Sequence, residues 1–315
     1  MSESSITYNL NQLLVRAMME KKPLVVVEGA DDRPFYLRLI EDKGKKATVI
    51  ASELIKKSNN SYYTPGCTGV IEIVKNLQGS FQKNPLSQNF FLGIIDSDYR
   101  KFTEEKLKLI GLFVLKYYSY ESHFVTNHSV KQLIAYTTRV GMQDITEEIT
   151  ANIMEDTDKI KNDMYLVGLE MLKEKLDPSK QKLFQKDTKP EALYQKGRDN
   201  DVALIDRVRE KETELLQFAE SKNITYKDIF SVVKGKYLLY AFVKSIYEQI
   251  GKLQILCRKS IIKQCDYCQN KKSELCIWKV KNQLKRSEYN NVMIDINWKT
   301  EPEIQYIKDR LSALG

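Results

Sequence analysis

The first 120 residues alternate two patterns. PLVVVEG (23–29), ATVIA (47–51) and NFFLGIIDSD (89–98) are short, continuous apolar runs rich in β-branched residues. Such runs predict strands covered on both faces, as parallel strands are. Between them, ADDRPFYLRLIEDK (30–43) and GVIEIVKNLQGSF (69–81) carry apolar residues at helical spacing. Asp31 or Asp32 suits the first turn of the former helix, where Pro34 is also tolerated. SNNSYYTPGCTG (58–69) reads as a loop, on its polar residues and its Pro-Gly pair. One more strand is expected within LIGLFVLKYYSYES (109–122), after another helix-like stretch. Strands separated by helices predict βαβ units and a mostly parallel sheet flanked by helices, an α/β fold.

The pattern changes after residue 124. From 130 to 248 it is mainly helical, with charged faces and few turn signals. A long helix is expected over 144–176, and a well-buried one within 228–252, following a K-G-K turn at 234–236. The polar stretch 177–201 holds two prolines and reads as a linker or exposed loop. Three regions result: α/β over 1–125, helical over 126–250, and basic and cysteine-rich over 251–315.

Charge sharpens that last region. The chain has a net charge of +8, and residues 252–286 alone hold ten Lys or Arg against Asp266 and Glu274. This local block equals the whole excess. It fits either a phosphate-backbone contact or a solvated lysine-rich face. Hydrophobic content of 42% permits a substantial core, and no apolar run approaches the ~18 residues a membrane helix needs. MSESSITYNLNQLL lacks a basic end leading into an apolar stretch, so no secretory signal is expected and the chain reads as cytoplasmic, without a membrane partner.

Two of the apolar runs end abruptly in acid. Glu28, Asp31 and Asp32 follow the first; Asp96 and Asp98 end the third. Residues two apart in a strand share a face, which predicts Asp96 and Asp98 together at the carboxyl edge of their strand. Glu28 stands at the equivalent edge, and Gly29 permits a sharp exit into the helix that carries Asp32. Parallel sheets bind ligands outside the carboxyl ends of their strands. If these strands are neighbours, the acids converge and repel one another unless a cation is present. All-oxygen donors favour Mg²⁺ or Mn²⁺. Helix capping accounts for Asp31 or Asp32, but poorly for Glu28 together with a D-x-D.

Strand-Glu-Gly followed by strand-D-x-D resembles the Toprim domain of topoisomerases, primases, ribosomal-RNA maturases and the overcoming-lysogenisation-defect (OLD) nucleases. VEGADDRPFY has an acid four residues after its Glu, as in the OLD-like branch. YYSYESHF (117–124) resembles that branch's Y-S-x-E-N-[YF] element, with Ser122 where Asn is usual, and would add Glu121. VVKGKYLL (232–239) resembles a downstream G-K element and would add Lys236 as a basic partner at the site. The order is most similar to stand-alone Toprim effectors paired with an ABC-type ATPase in bacterial anti-phage defence. The resemblance covers the first ~125 residues well, the K-G-K region moderately and the cysteine-rich region hardly.

That resemblance implies a metal-dependent endonuclease. Glu28, Asp32, Asp96, Asp98 and Glu121 would surround the Mg²⁺ or Mn²⁺. Glu28 would bind a second ion or serve as general acid/base, with Asp32 beside it, and Lys236 would stabilise developing negative charge. It also implies tRNA as substrate, toxin-like action in abortive infection, and restraint and release by the ATPase. A homodimer is expected for the active form. Two alternatives stay open on the residues alone: an OLD-type DNA nuclease, and a non-catalytic regulatory partner of the ATPase. The chain has no GxxxxGK[ST] loop, so ATP hydrolysis is not expected of it.

Cys257, Cys265, Cys268 and Cys276 fall within twenty residues, at gaps of seven, two and seven. A C-x₂-C pair flanked by two more thiols predicts a tetrahedral structural Zn²⁺ site, with unlinked core thiols as the alternative. Cys67, in the Pro-Gly loop, is expected to be a free thiol. Two histidines, His123 and His128, are too few for HD-type or HExxH chemistry. Tyr62 and Tyr63 lie in a polar loop where base stacking is conceivable, although tyrosines more often pack.

Overall fold

The computed structural model describes residues 8–103, 107–177, 179, 182–185, 188–197 and 200–315. The loop expected over 177–201, the helix-like stretch before 109 and the N-terminal segment lie partly outside the described residues. The chain forms two compact units. One comprises the residues up to Lys116 together with Pro302–Gly315, the other Tyr117–Glu301.

The first unit runs β1 (Tyr8–Asn9), α1 (Leu10–Met19), β2 (Leu24–Val27), α2 (Arg33–Asp42), β3 (Thr48–Ala51), β4 (Ile55–Lys56), α3 (Cys67–Lys83), β5 (Phe91–Ile95) and β6 (Leu112–Val114). Four strands make a parallel sheet in the order β3-β2-β5-β6. Every residue of β2 and β5 is buried, which is why their sequences read as continuous apolar runs. Leu24, Val26, Phe91 and Ile95 share one core with Leu10, Leu13 and Leu14 of α1 and Val70, Val74 and Leu77 of α3. From β2 the chain steps to β3 on one side, then crosses by α3 to β5 on the other. The carboxyl ends of β2 and β5 thus flank the point where the winding reverses, where open α/β sheets form a ligand crevice.

Two glycines seat α3 at that crevice. Gly66, just before it, has φ +83, a backbone region open to glycine at little cost. At Gly69, one turn in, a Cβ would lie 1.8 Å from the Thr64 carbonyl oxygen and 2.9 Å from Ser52 Oγ. Gly69→Ala should therefore cost about 1–3 kcal/mol through overpacking, measured as faster hydrogen exchange in the first turns of α3. Unchanged exchange there would mean that the 64–66 loop yields freely.

The second unit contains α4 (Asn127–Thr137), α5 (Glu147–Leu176), the antiparallel pair β7 (Lys196–Gly197) and β8 (Asn200–Ala203), α6 (Leu204–Arg209), α7 (Glu212–Ser221), α8 (Ile229–Val232), α9 (Gly235–Arg258), α10 (Asp266–Gln269) and α11 (Tyr289–Asn297). The buried helix expected within 228–252 after the K-G-K turn is α9, which starts at Gly235 inside that turn; Val233 before it is extended and separates it from the short α8. The strand expected within 109–122 is β6, and Tyr120–Phe124 forms a short 3-10 turn. The final helix, α12 (Gln305–Ser312), belongs to the first unit, where it packs on α2 and sets the Tyr306 ring 5.8 Å from that of Phe113 in β6. Among the described residues, no helix is long and apolar enough to cross a membrane.

Candidate metal centres

Glu28 is the first residue past β2. The parallel pairing of β2 with β5 sets it beside the exit of that strand, and the Asp96 N–H donates to Glu28 Oε1 at 2.8 Å. The Glu28 carbonyl oxygen accepts from the Gly66 N–H at 2.9 Å and from the Ser52 hydroxyl at 3.3 Å. Backbone and side chain are thus both held in place, with Oε2 turned toward Gly66. Glu28, Cys67 and Asp98 each place one ligand atom within 4.8 Å of the others.

The route by which Asp98 arrives differs from strand alternation. β5 ends at Ile95, and Asp98 takes φ +45, a left-handed conformation that Asp tolerates better than most residues. A turn, not a pleat, brings it to Glu28. Arg100 fastens this turn: its Nη1 donates to the Asp96 carbonyl oxygen at 2.8 Å and pairs with Asp98 Oδ2 at 3.4 Å. Asp32 uses Oδ2 to accept the Gly29 N–H at 3.1 Å, so it caps the turn into α2 while its charge still acts on Glu28. Asp31 is exposed.

Burial pushes the Glu28 carboxyl up to about 7, and the charges of Asp98 and Asp32 add to the effect. The Asp96 N–H and Arg100 oppose it. This carboxylate resists ionisation until positive charge arrives. Two carboxylates and a thiol on one small volume make a donor set that suits a divalent cation.

Pattern reading missed two contributors. Cys67 is unpaired by any disulfide, but it opens α3 and faces the carboxylates; the Gly immediately before a helical run was the available signal. Arg100 follows the D-x-D by two residues.

Glu121 and Lys236 belong to the second unit. Glu121 is buried on the 120–124 turn and accepts from Ser119 Oγ at 2.5 Å. The K-G-K start of α9 packs on the same turn: a Cβ at Gly235 would lie 2.1 Å from Ser119 Oγ and 2.9 Å from Ser122 Oγ. The fold therefore joins these two distant sequence elements. The Lys236 side chain is exposed, and its carbonyl oxygen accepts from Asn290 Nδ2 at 3.0 Å. His123 is buried, with Nδ1 3.1 Å from the Tyr120 carbonyl oxygen and its ring 4.7 Å from that of Tyr117. Tyr63 is a packing residue whose hydroxyl accepts from Asn76 Nδ2 at 2.9 Å; Tyr62 is exposed, with the Lys56 ammonium 5.6 Å from its ring centre.

The second unit also gathers Cys257, Cys265, Cys268 and Cys276, whose sulfurs all lie within 4.8 Å of one another. None forms a disulfide. Burial pushes the Cys257 thiol up to about 11. Burial acts on Cys265 as well, but N–H donors from Ile277 and Cys268 and the neighbouring thiols outweigh it and bring that thiol to about 7. The cluster could hold a metal such as zinc.

No protein-family model matches the chain, and no curated protein matches it significantly.

Proposed function

We propose that the chain is a divalent-metal-dependent nuclease with a Toprim-like first unit. It acts on RNA, tRNA above all, as a toxin-like effector of anti-phage defence restrained by an ABC-type ATPase, and is a homodimer when active. The observation that carries the nuclease reading is the convergence of Glu28 and Asp98 at the crevice between β2 and β5. The preference for RNA and the ATPase partner rest on the Toprim-effector resemblance. The basic segment at 252–286 is compatible with a phosphate backbone.

In this reading Glu28 and Asp98 hold Mg²⁺ or Mn²⁺, with Asp96 on the same turn and Asp32 adding negative charge nearby. The bound ion would supply Lewis-acid stabilisation of charge on the phosphoryl oxygens and make water more acidic. One Glu28 oxygen is committed to the Asp96 N–H. Its proton affinity near neutrality suits the other oxygen to take or give a proton at the attacking or leaving oxygen. Arg100 holds the 96–98 turn so that Asp98 stays in position. Cys67 adds a softer donor, which favours Mn²⁺ tolerance and sensitivity to thiophilic ions. Lys236, exposed at the start of α9, is offered as a basic group for substrate phosphate.

The test is incubation of the purified protein with Mg²⁺ or Mn²⁺ and either bulk tRNA or supercoiled plasmid. The expected result is discrete new tRNA ends that require the ion, with intact plasmid. Plasmid nicking would redirect the reading to DNA, and inertness toward both would overturn it.

A further inference from the structure

The region after α9 poses a folding problem. Between Lys259 and Cys276 the only regular structure is the one-turn α10 and the 3-10 turn Ser273–Leu275. Throughout that stretch the only buried side chains are Cys268 and Cys276. Three of its large apolar residues face outward, Ile261 at 65% exposure, Tyr267 at 44% and Leu275 at 41%, and Ile262 is only half-buried. A segment with no apolar core of its own needs a staple. No disulfide supplies one.

The cysteines have the geometry of one. Four sulfurs bound at about 2.3 Å around a tetrahedral ion sit about 3.8 Å from each other; Cys265 Sγ and Cys276 Sγ are 3.8 Å apart. The Cys265 N–H points at Cys257 Sγ at 3.3 Å. N–H groups of Ile277 and Cys268 face the Cys265 sulfur, and that of Trp278 faces Cys276. Such donors orient metal-bound sulfurs and stabilise their charge. The ligands come from three places: the last turn of α9, the α10 turn with the residue before it, and the 3-10 turn leading to Trp278. Trp278 is buried, and the chain on either side of it is tied to the end of α4 and the residues just after it, by the Arg139 N–H on the Ile277 carbonyl oxygen, 2.9 Å, and by the Lys281 N–H on that of Thr137, 2.7 Å.

We propose that Cys257, Cys265, Cys268 and Cys276 bind one Zn²⁺ in a closed, purely structural site that substitutes for a hydrophobic core in residues 259–276. Four protein sulfurs leave no open coordination position, so the ion takes no part in hydrolysis. Nearby lysines, Lys259, Lys263, Lys271 and Lys272, offset the two negative charges of a zinc tetrathiolate. The proposal stands independently of the nuclease reading, because its ligands and readouts are separate from the carboxylate centre.

The test uses the full chain. Metal analysis should find one zinc per chain; Cys268→Ser and Cys276→Ser should lose it, and Cys67→Ser should keep it. Cobalt substitution should give the intense visible bands of tetrahedral thiolate coordination. Stripping the metal with a chelator should speed tryptic cleavage after Lys259, Lys263, Lys271 or Lys272 by about tenfold or more, with the cleavage rate in α5 unchanged. A chain that carries no zinc and gives no such cobalt spectrum overturns the proposal, as does equal loss of zinc in Cys67→Ser. Zinc whose removal leaves the cleavage pattern unchanged overturns its structural role.

Discussion

In the proposed nuclease, Glu28→Ala is expected to lower metal-dependent cleavage by at least about 10²–10³-fold and to remove the toxicity proposed for the expressed protein. The side chain has three tasks in the proposed nuclease. It binds the ion, it exchanges a proton near neutral pH, and it receives the Asp96 N–H that seats the 96–98 turn. Glu28→Gln separates these tasks. The amide oxygen still accepts the Asp96 N–H, so the turn keeps its anchor, while the charge and the proton exchange are gone. Both variants are expected to be inactive, but only the alanine variant should show faster amide exchange over 96–98. The measurement is sequencing of small RNAs for new tRNA ends in cells expressing each form. Persistent ends and undiminished toxicity in Glu28→Gln would remove the carboxylate from the chemistry.

Without divalent ions, the first unit becomes less stable as pH rises from about 5 to about 8. The sign follows from the Glu28 carboxyl, near 4.5 in the unfolded chain and pushed up to about 7 in the folded one, with burial as the main cause. Below 4.5 both states hold the proton and the contribution is fully present. Between the two values the unfolded chain releases its proton while the folded chain keeps it, and stability declines. Above about 7 the folded state ionises too, and the contribution is lost. The difference corresponds to about 3 kcal/mol. Amide exchange in β2 and β5 reports it locally, which suits a chain of two units better than a whole-molecule melt. Mn²⁺ at pH 8 should restore the lost protection, and Glu28→Gln should flatten the profile. Parallel profiles for the variant and the natural chain would refute this origin.

The parallel sheet was legible because burial on both faces leaves a continuous Val- and Ile-rich signature, as in LVVV and FLGII. The adjacency of β2 and β5 was not. It depends on the crossover of α3, and Gly93 betrays that helix only once the structure shows a Cβ there 2.7 Å from Val74 Cγ2. Glu28 and Asp98 could be picked out as acids ending apolar runs. The way they meet could not, since it turns on one left-handed residue after the strand has ended. Cys67 was hidden because T-P-G-C-T-G reads as loop, whereas Gly66 uses its freedom to launch a helix. The four clustered cysteines were visible from spacing alone, while the lack of any other core around them emerged only from solvent exposure.

The first unit is discontinuous along the chain: α12, made after the whole second unit, packs on α2 and covers Phe113 of the edge strand β6. Nascent proteins tend to fold from the leading end, yet this one emerges from the ribosome with its leading lobe still missing a wall. Glu28, Cys67 and Asp98 are all translated long before that wall arrives. A ribosome in mid-synthesis therefore carries these clustered ligands in an unfinished scaffold, which α12 completes only after the second unit has been made.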